Sequence, residues 1–323
     1  MGYPRHLSVL PQIPGIYHCT SRCVRRAFLC GEDALTGRSF EHRRQWLEDR
    51  ILALAQVFAL AIHSYAVMSN HFHVIVATDP GVPWQWSDEE VARRWLALSM
   101  NTNGADSVLS TRIAQLAQDS KRLAVLRERL GSLSWFMRYL KEPIARRANK
   151  EDECKGHFWE GRFGTQTLLD DAAVLSSMVY VDLNPIRAGI ALTPENSAHT
   201  SVCARSQVRT KENDDAPLQA LASSIQSELS IVTTAQYLEL VDWTARTLHT
   251  GTRGAGVGDA PTIIKRLGLR PRQWCLQVSA TESQYWRAIG HLESLVDAAA
   301  QLGARWLCGI GMARRLQRVT DAS

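Results

Sequence analysis

Two histidines separated by one residue, His71-Phe72-His73, open the strand-forming run Val74-Ile75-Val76. Side chains alternate between faces along a strand, so both imidazoles belong on one face and Phe72 on the other. Two imidazoles on one face can hold a metal ion and leave positions open for a phosphate oxygen and water. A strand with two hydrogen-bonded structural histidines fits the same tripeptide. A second group is Met178-Val179-Tyr180-Val181-Asp182-Leu183-Asn184-Pro185. Residues four apart share a helix face, so the Tyr180 hydroxyl and the Asn184 amide can point at one place. An amide oxygen suits a hard cation, which makes Asn184 a candidate third ligand. Pro185 disfavours helical geometry at Asn184 and predicts a kink or an end there. Tyr180 is then either a nucleophile or a core tyrosine on the buried side of a helix. A third group, Gly156-His157-Phe158-Trp159-Glu160-Gly161-Arg162-Phe163, interleaves rings with charge. That composition grips single-stranded nucleic acid by stacking and cation contact, and it also builds a packed aromatic turn.

These groups need elements to hold them. Residues 15–23 are rich in strand formers and predict a first strand. From Ser39 to Leu60 the apolar residues recur at helical spacing. Two strands, Ala61–Met68 and His71–Thr78, are separated by Ser69-Asn70, which predicts a tight hairpin. Residues 79–131 read as a surface insertion with helical stretches at 88–100 and 111–130. A helix over Leu133–Asn149 carries Trp135, Phe136, Tyr139, Leu140 and Ile144 on one side, opposite Arg138, Lys141, Arg146 and Arg147, with a kink expected at Pro143. A strand over Thr165–Leu169 precedes a helix capped by Asp170 or Asp171 that runs through Tyr180 towards Gly189. The polar stretch 191–217 reads as a linker, and the remainder as helical with a Gly-rich hinge at 251–258. The order strand, helix, strand, strand, helix, strand, helix predicts an α+β fold, a small antiparallel sheet covered by helices. We divide the chain into a domain over 1–195 and a mainly helical region over 196–323. The segment Pro261–Trp274 there fits either a small helix-turn-helix DNA module or a plain helical cap.

The chain has 323 residues, a formal charge of +5 and 45% apolar residues, which excludes a largely disordered class. Arg far outnumbers Lys, and a guanidinium forks onto phosphate and stacks on bases, which favours a polyanionic partner. Seven cysteines follow no regular spacing and read as reduced thiols. No signal-peptide pattern and no run of about 18 apolar residues is present, so a soluble, cytoplasmic protein without a membrane partner is expected.

Taken in order, Tyr17-His18-Cys19-Thr20-Ser21-Arg22, Met68-Ser69-Asn70-His71-Phe72-His73, the Gly156–Phe163 loop and Tyr180–Pro185 with Ile186-Arg187-Ala188-Gly189 resemble the HUH single-tyrosine transposases. The resemblance is strongest to the REP-associated tyrosine transposases and covers roughly residues 10–190. It implies a ferredoxin-like HUH domain, His71 and His73 as the metal pair, Asn184 as third ligand and Tyr180 as nucleophile. The implied activity is a transposase that nicks and transfers single-stranded or hairpin DNA through a 5′-phosphotyrosine, associated with the nucleoid, as a monomer or homodimer. A domesticated, non-catalytic DNA-binding protein or repressor of the same fold and a replication-initiator nickase are the alternatives. Ser69 stands where many relatives carry Pro, a departure expected to loosen the turn before the pair. Mg²⁺ or Mn²⁺ suits the donors: imidazoles favour Mn²⁺, while amide and phosphate oxygens suit Mg²⁺. Arg138, Lys141, Arg146, Arg147, His157, Trp159 and Arg162 are the expected nucleic-acid contacts, with Arg5 in an N-terminal arm.

Overall fold

The computed structural model describes residues 13–24, 29–32, 37–98, 106–209, 214–249, 258–281, 287–304 and 306–319. Arg5, Trp286 and the Gly-rich hinge expected at 251–258, apart from Gly258, lie outside the described residues. The chain runs β1 (Gly15–Arg22), α1 (His42–Ala55), β2 (Leu60–Val67) and β3 (His71–Thr78), then α2 (Asp88–Ala97), α3 (Asp106–Ala117), α4 (Ser120–Leu130) and α5 (Leu133–Glu151). It continues through β4 (Gly164–Leu168), α6 (Asp171–Asp182) and the single turn α7 (Asn184–Arg187). The four strands lie in the order β2-β3-β1-β4 with every neighbour antiparallel. That is the ferredoxin-like arrangement, and the expected α+β sheet is present.

Strand alternation separates two cores. Tyr17, Cys19, Phe72, Val74 and Val76 face α1 and α5, where they meet Leu47, Ile51, Leu54, Phe136 and Leu140. Ala66, Ile75 and Leu168 face the other way and pack under α6. The β1–β3 register sets Arg22 opposite His71 and Thr20 opposite His73, on the face that α6 covers.

Helix α5 passes through Pro143 without ending. A proline supplies no N–H to the carbonyl four residues back. Here the Tyr139 carbonyl instead accepts from Arg50 Nε of α1 at 3.3 Å, which satisfies the group the proline leaves open. Among its described residues the insertion holds three α-helices rather than two. Its Val91, Ala92, Leu123, Leu126 and Leu130 enter the first core, so only its outer side is surface.

The region after 195 departs furthest from expectation. Helix α8 (Ser201–Gln207) occupies the stretch read as a linker: Thr200 caps it by accepting from Cys203 N at 3.3 Å, and Ser201 and Val202 are buried. Short strands follow, β5 (Pro217–Gln219), β6 (Ala222–Ser223) and β7 (Glu228–Thr233), then α9 (Thr234–His249), α10 (Thr262–Arg266), α11 (Pro271–Ala280), β8 (Ala288–Ile289), α12 (Leu292–Gln301) and α13 (Ile310–Gln317). Strand β6 pairs antiparallel with β2, and β8 pairs parallel with β4, so both edges of a six-stranded sheet come from beyond residue 195. Residues of α9, α10 and α11, among them Tyr237, Leu240, Ile263, Trp274 and Val278, share one core with α6. The boundary drawn at 195 therefore divides sequence but not packing, because an open sheet edge and a mostly apolar helix both need covering. Helix α11 is docked by Trp274, fully buried with Nε1 donating to Thr244 Oγ1 at 2.9 Å, which is the position of a helical cap.

Candidate active site

The turn that delivers the histidine pair is clamped from two sides. Ser69 O accepts from Cys30 N and Asn70 O from Cys23 N, each at 2.8 Å. Arg44, itself buried, donates to Val67 O at 2.8 Å and to Ser69 Oγ at 3.3 Å. Ser69 thus holds the turn through its hydroxyl, and the loosening expected from the missing proline is offset. From this turn His71 and His73 project to the same face, with ring centroids 4.9 Å apart.

Across from them lies α6. Asp170 starts it, accepting from Ala173 N at 2.9 Å, so Asp170 rather than Asp171 is the cap. The Tyr180 ring stands edge-on to His73 with centroids 5.7 Å apart, and it is 3% exposed. Helix α6 ends at Asp182, and Pro185 falls in the first turn of α7, where its missing N–H is harmless. Asn184 Nδ2 donates to Tyr180 O at 3.0 Å, which turns the acceptor Oδ1 away from that carbonyl.

Sequence reasoning assigned no role to two further residues. His18 of β1 stacks on His73, with centroids 5.1 Å apart, and meets the Tyr180 ring at 6.0 Å. The Arg187 guanidinium of α7 lies 5.1 Å from the centre of the Tyr180 ring. Neither was readable from spacing, since each joins the site across the fold.

Burial drives the His18 and His71 imidazoles down to about 4, opposed at His18 by the hydrogen bond to Gln166 and reinforced at His71 by Arg22. Burial also holds His73 well below the ordinary range, with His18, His71, Arg22 and Arg187 adding to it. Neutral imidazole is the form that ligates metal. His71 Nδ1 lies 2.5 Å from Asn70 Oδ1, an oxygen that only accepts, so the ring nitrogen left with a lone pair is Nε2. His73 Nε2 is buried without a hydrogen-bond partner. A buried polar nitrogen is rarely left so. The imidazole pair therefore fits a divalent cation: His73 offers a bare buried nitrogen and His71 a lone pair on Nε2, while Asn184 stands one turn beyond Tyr180. Among the described residues no group of three or more His, Cys, Asp or Glu is arranged to hold a metal, so this set is without a carboxylate.

The expected nucleic-acid contacts divide. Lys141 and Trp159 are buried and fasten the 155–163 loop to α5: Lys141 Nζ donates to Gly161 O and Trp159 Nε1 to Lys141 O, each at 2.9 Å. Trp159 also meets Phe72 edge-on at 5.6 Å, so its ring serves the first core and the loop is a packed aromatic turn. Arg138 and Arg146 are exposed and share Glu142, and Arg147 sits 3.6 Å above the Trp46 ring. His157 and Arg162 are exposed at the loop surface.

No family model and no curated protein sequence matches the chain. Among solved structures it is similar to a REP-associated tyrosine transposase bound to a REP hairpin, with 12% identity and a TM-score of 0.34 over 64% of this chain and 87% of that one. No helix among the described residues is long and apolar enough to cross a membrane.

Proposed function

We propose that this chain is a metal-dependent single-strand DNA endonuclease and strand transferase that acts on hairpin-forming DNA with Tyr180 as nucleophile. The observation that supports it is the Tyr180 ring set edge-on to His73, which pairs with His71 and carries a bare buried nitrogen. His71, His73 and Asn184 would hold Mg²⁺ or Mn²⁺, and that ion would polarise the scissile phosphate and ease charge onto the leaving oxygen. The Tyr180 oxygen attacks phosphorus, forming an O–P bond as the bond from phosphorus to the 3′ oxygen breaks. The phenol proton ends on the departing oxygen, leaving a 5′-phosphotyrosine and a free 3′ hydroxyl. Arg187 beside the ring favours negative charge developing on the phenol oxygen. Arg22, paired across the strands with His71, would add a further cation on the side of the histidine pair. Because the phosphoester is kept in the link to tyrosine, a second 3′ hydroxyl can displace Tyr180 and rejoin or transfer the strand. Arg138, Arg146, Arg147, His157 and Arg162 supply the exposed polar surface for the DNA.

A second reading, a DNA-binding protein of the same fold that does not cleave, draws on the burial of Tyr180. One gel separates the two. Wild type and Tyr180→Phe are incubated with hairpin-bearing single-stranded DNA and Mn²⁺, then denatured and resolved. A protein–DNA adduct with wild type alone is the expected result. A shift of the same DNA on a companion native gel, with no adduct from either protein after denaturation, would leave only the second reading.

A further inference from the structure

His73 can present Nε2 to a cation only if its single hydrogen sits on Nδ1, and the structure contains a chain of contacts that fixes this. Gln166 of β4 donates through Nε2 to the Thr281 carbonyl at 3.4 Å, which turns its Oε1 towards His18. His18 Nδ1 lies 2.7 Å from that oxygen. An amide oxygen accepts only, so Nδ1 of His18 carries the hydrogen and its Nε2 carries the lone pair. His18 Nε2 in turn lies 2.9 Å from His73 Nδ1, which must then be the donor. The remaining nitrogen of His73 is bare, and it is the one found buried without a partner.

We propose that His18 and Gln166 are positioning residues that set the tautomer and orientation of His73, and that the segment after α11 reaches the site through Thr281. His18 is no ligand itself, because its one lone pair is spent on His73. Its place is that of the group behind a metal-bound histidine, which raises ligand basicity and fixes the ring. Helix α11 supports the opposite wall as well, since Gln277 Nε2 donates to Ser176 Oγ of α6 at 3.0 Å, one turn before Tyr180. The residues after 195 thereby steady both the imidazole and the phenol.

The relay rests on the reading of His73 as a ligand, and the test separates the two. In ¹⁵N-histidine-labelled protein, long-range ¹⁵N–¹H correlation spectra, assigned with His18→Asn and His73→Asn, report which ring nitrogen carries hydrogen. Wild type is expected to show His18 and His73 both protonated on Nδ1. Gln166→Leu, checked for native fold by circular dichroism, is expected to populate the Nε2-protonated form of His73. It is also expected to weaken Mn²⁺ binding, followed by electron paramagnetic resonance, about 10- to 100-fold. A wild-type His73 protonated on Nε2, or a tautomer unmoved in Gln166→Leu, overturns the proposal. A tautomer that shifts as expected in protein that binds no Mn²⁺ upholds the relay and removes the ligand assignment.

Discussion

At the scale of single residues the site is a set of groups left in a costly state by the fold. A buried nitrogen without a hydrogen-bond partner costs about 1–3 kcal/mol, and His73 Nε2 is such a group. A cation that binds it relieves that cost and stabilises the native chain by mass action, by about 2.7 kcal/mol at a hundred times its dissociation constant. Mn²⁺ is therefore expected to raise the melting temperature of wild type, and chelation to reverse the shift. His73→Ala should melt at one temperature with or without Mn²⁺; a shift that survives in this variant would place the ion elsewhere. His71, His73 and Tyr180 were legible because each belongs to a local period, two in a strand and four in a helix. His18 was not, because its contact with His73 crosses from β1 to β3 and Gln166 stands on a third strand. Trp159 was read as a DNA contact because composition cannot say which side of a loop packs inward, and Lys141 because its place on the polar side of α5 does not show that the loop folds over it.

At the scale of elements, α6 is buried on all sides, from Ala172 through Asp182. A helix with no charged residue between its end aspartates, Ala-Ala-Val-Leu-Ser-Ser-Met-Val-Tyr-Val, can be buried all round, whereas its sequence was read as having one buried side. It could not say what covers the outer side. That side is closed by a buried network on Asp182, the last residue of the helix. Its carboxylate accepts from Val202 N at 3.1 Å, from Tyr237 Oη at 2.5 Å and from the Ser201 hydroxyl, joining α8 and α9 to α6. Burial pushes this carboxyl above its usual range, and the hydrogen bonds from Ser201 and Tyr237, with Arg205 nearby, oppose the rise. The network grips the helix two residues beyond Tyr180. Tyr237→Phe removes one donor from a buried carboxylate, so it should lower stability by about 1–3 kcal/mol in urea denaturation. It should also reduce adduct formation by Tyr180, measured at a temperature where the variant is folded. Unchanged stability would mean that the hydroxyl is replaced by water and the network does not hold α6. Thr200, Ser201 and Arg205 sit in a stretch read as linker because polar residues that serve a buried acid look, in sequence, like polar residues that face water.

At the scale of the whole molecule, the ferredoxin-like sheet is not closed by its own four strands. The ladder edge of β2 is taken by Ala222–Ser223 and that of β4 by Ala288–Ile289, both encoded after the expected boundary. Two-residue strands are too short to be seen as strands from residue type, which is why the region read as helical and separable. Its largest anchor is Trp274, fully buried against the core of α6. Trp274→Ala should lower stability by about 3–5 kcal/mol, the range for deleting a buried aromatic ring. Truncation after residue 195 is a harsher form of the same change. It opens both sheet edges and bares the outer side of α6, and exposed edges and apolar surface drive aggregation. A chain of residues 1–195 should therefore collect in the insoluble fraction, or, if recovered, lack the amide dispersion of a folded protein. If it proved folded and still formed the tyrosine adduct, the later residues would be an accessory and not a wall of the site. With α11 bonded to Ser176 and Thr281, just after it, bonded to Gln166, that outcome would require the histidine and the tyrosine to hold their places with neither support.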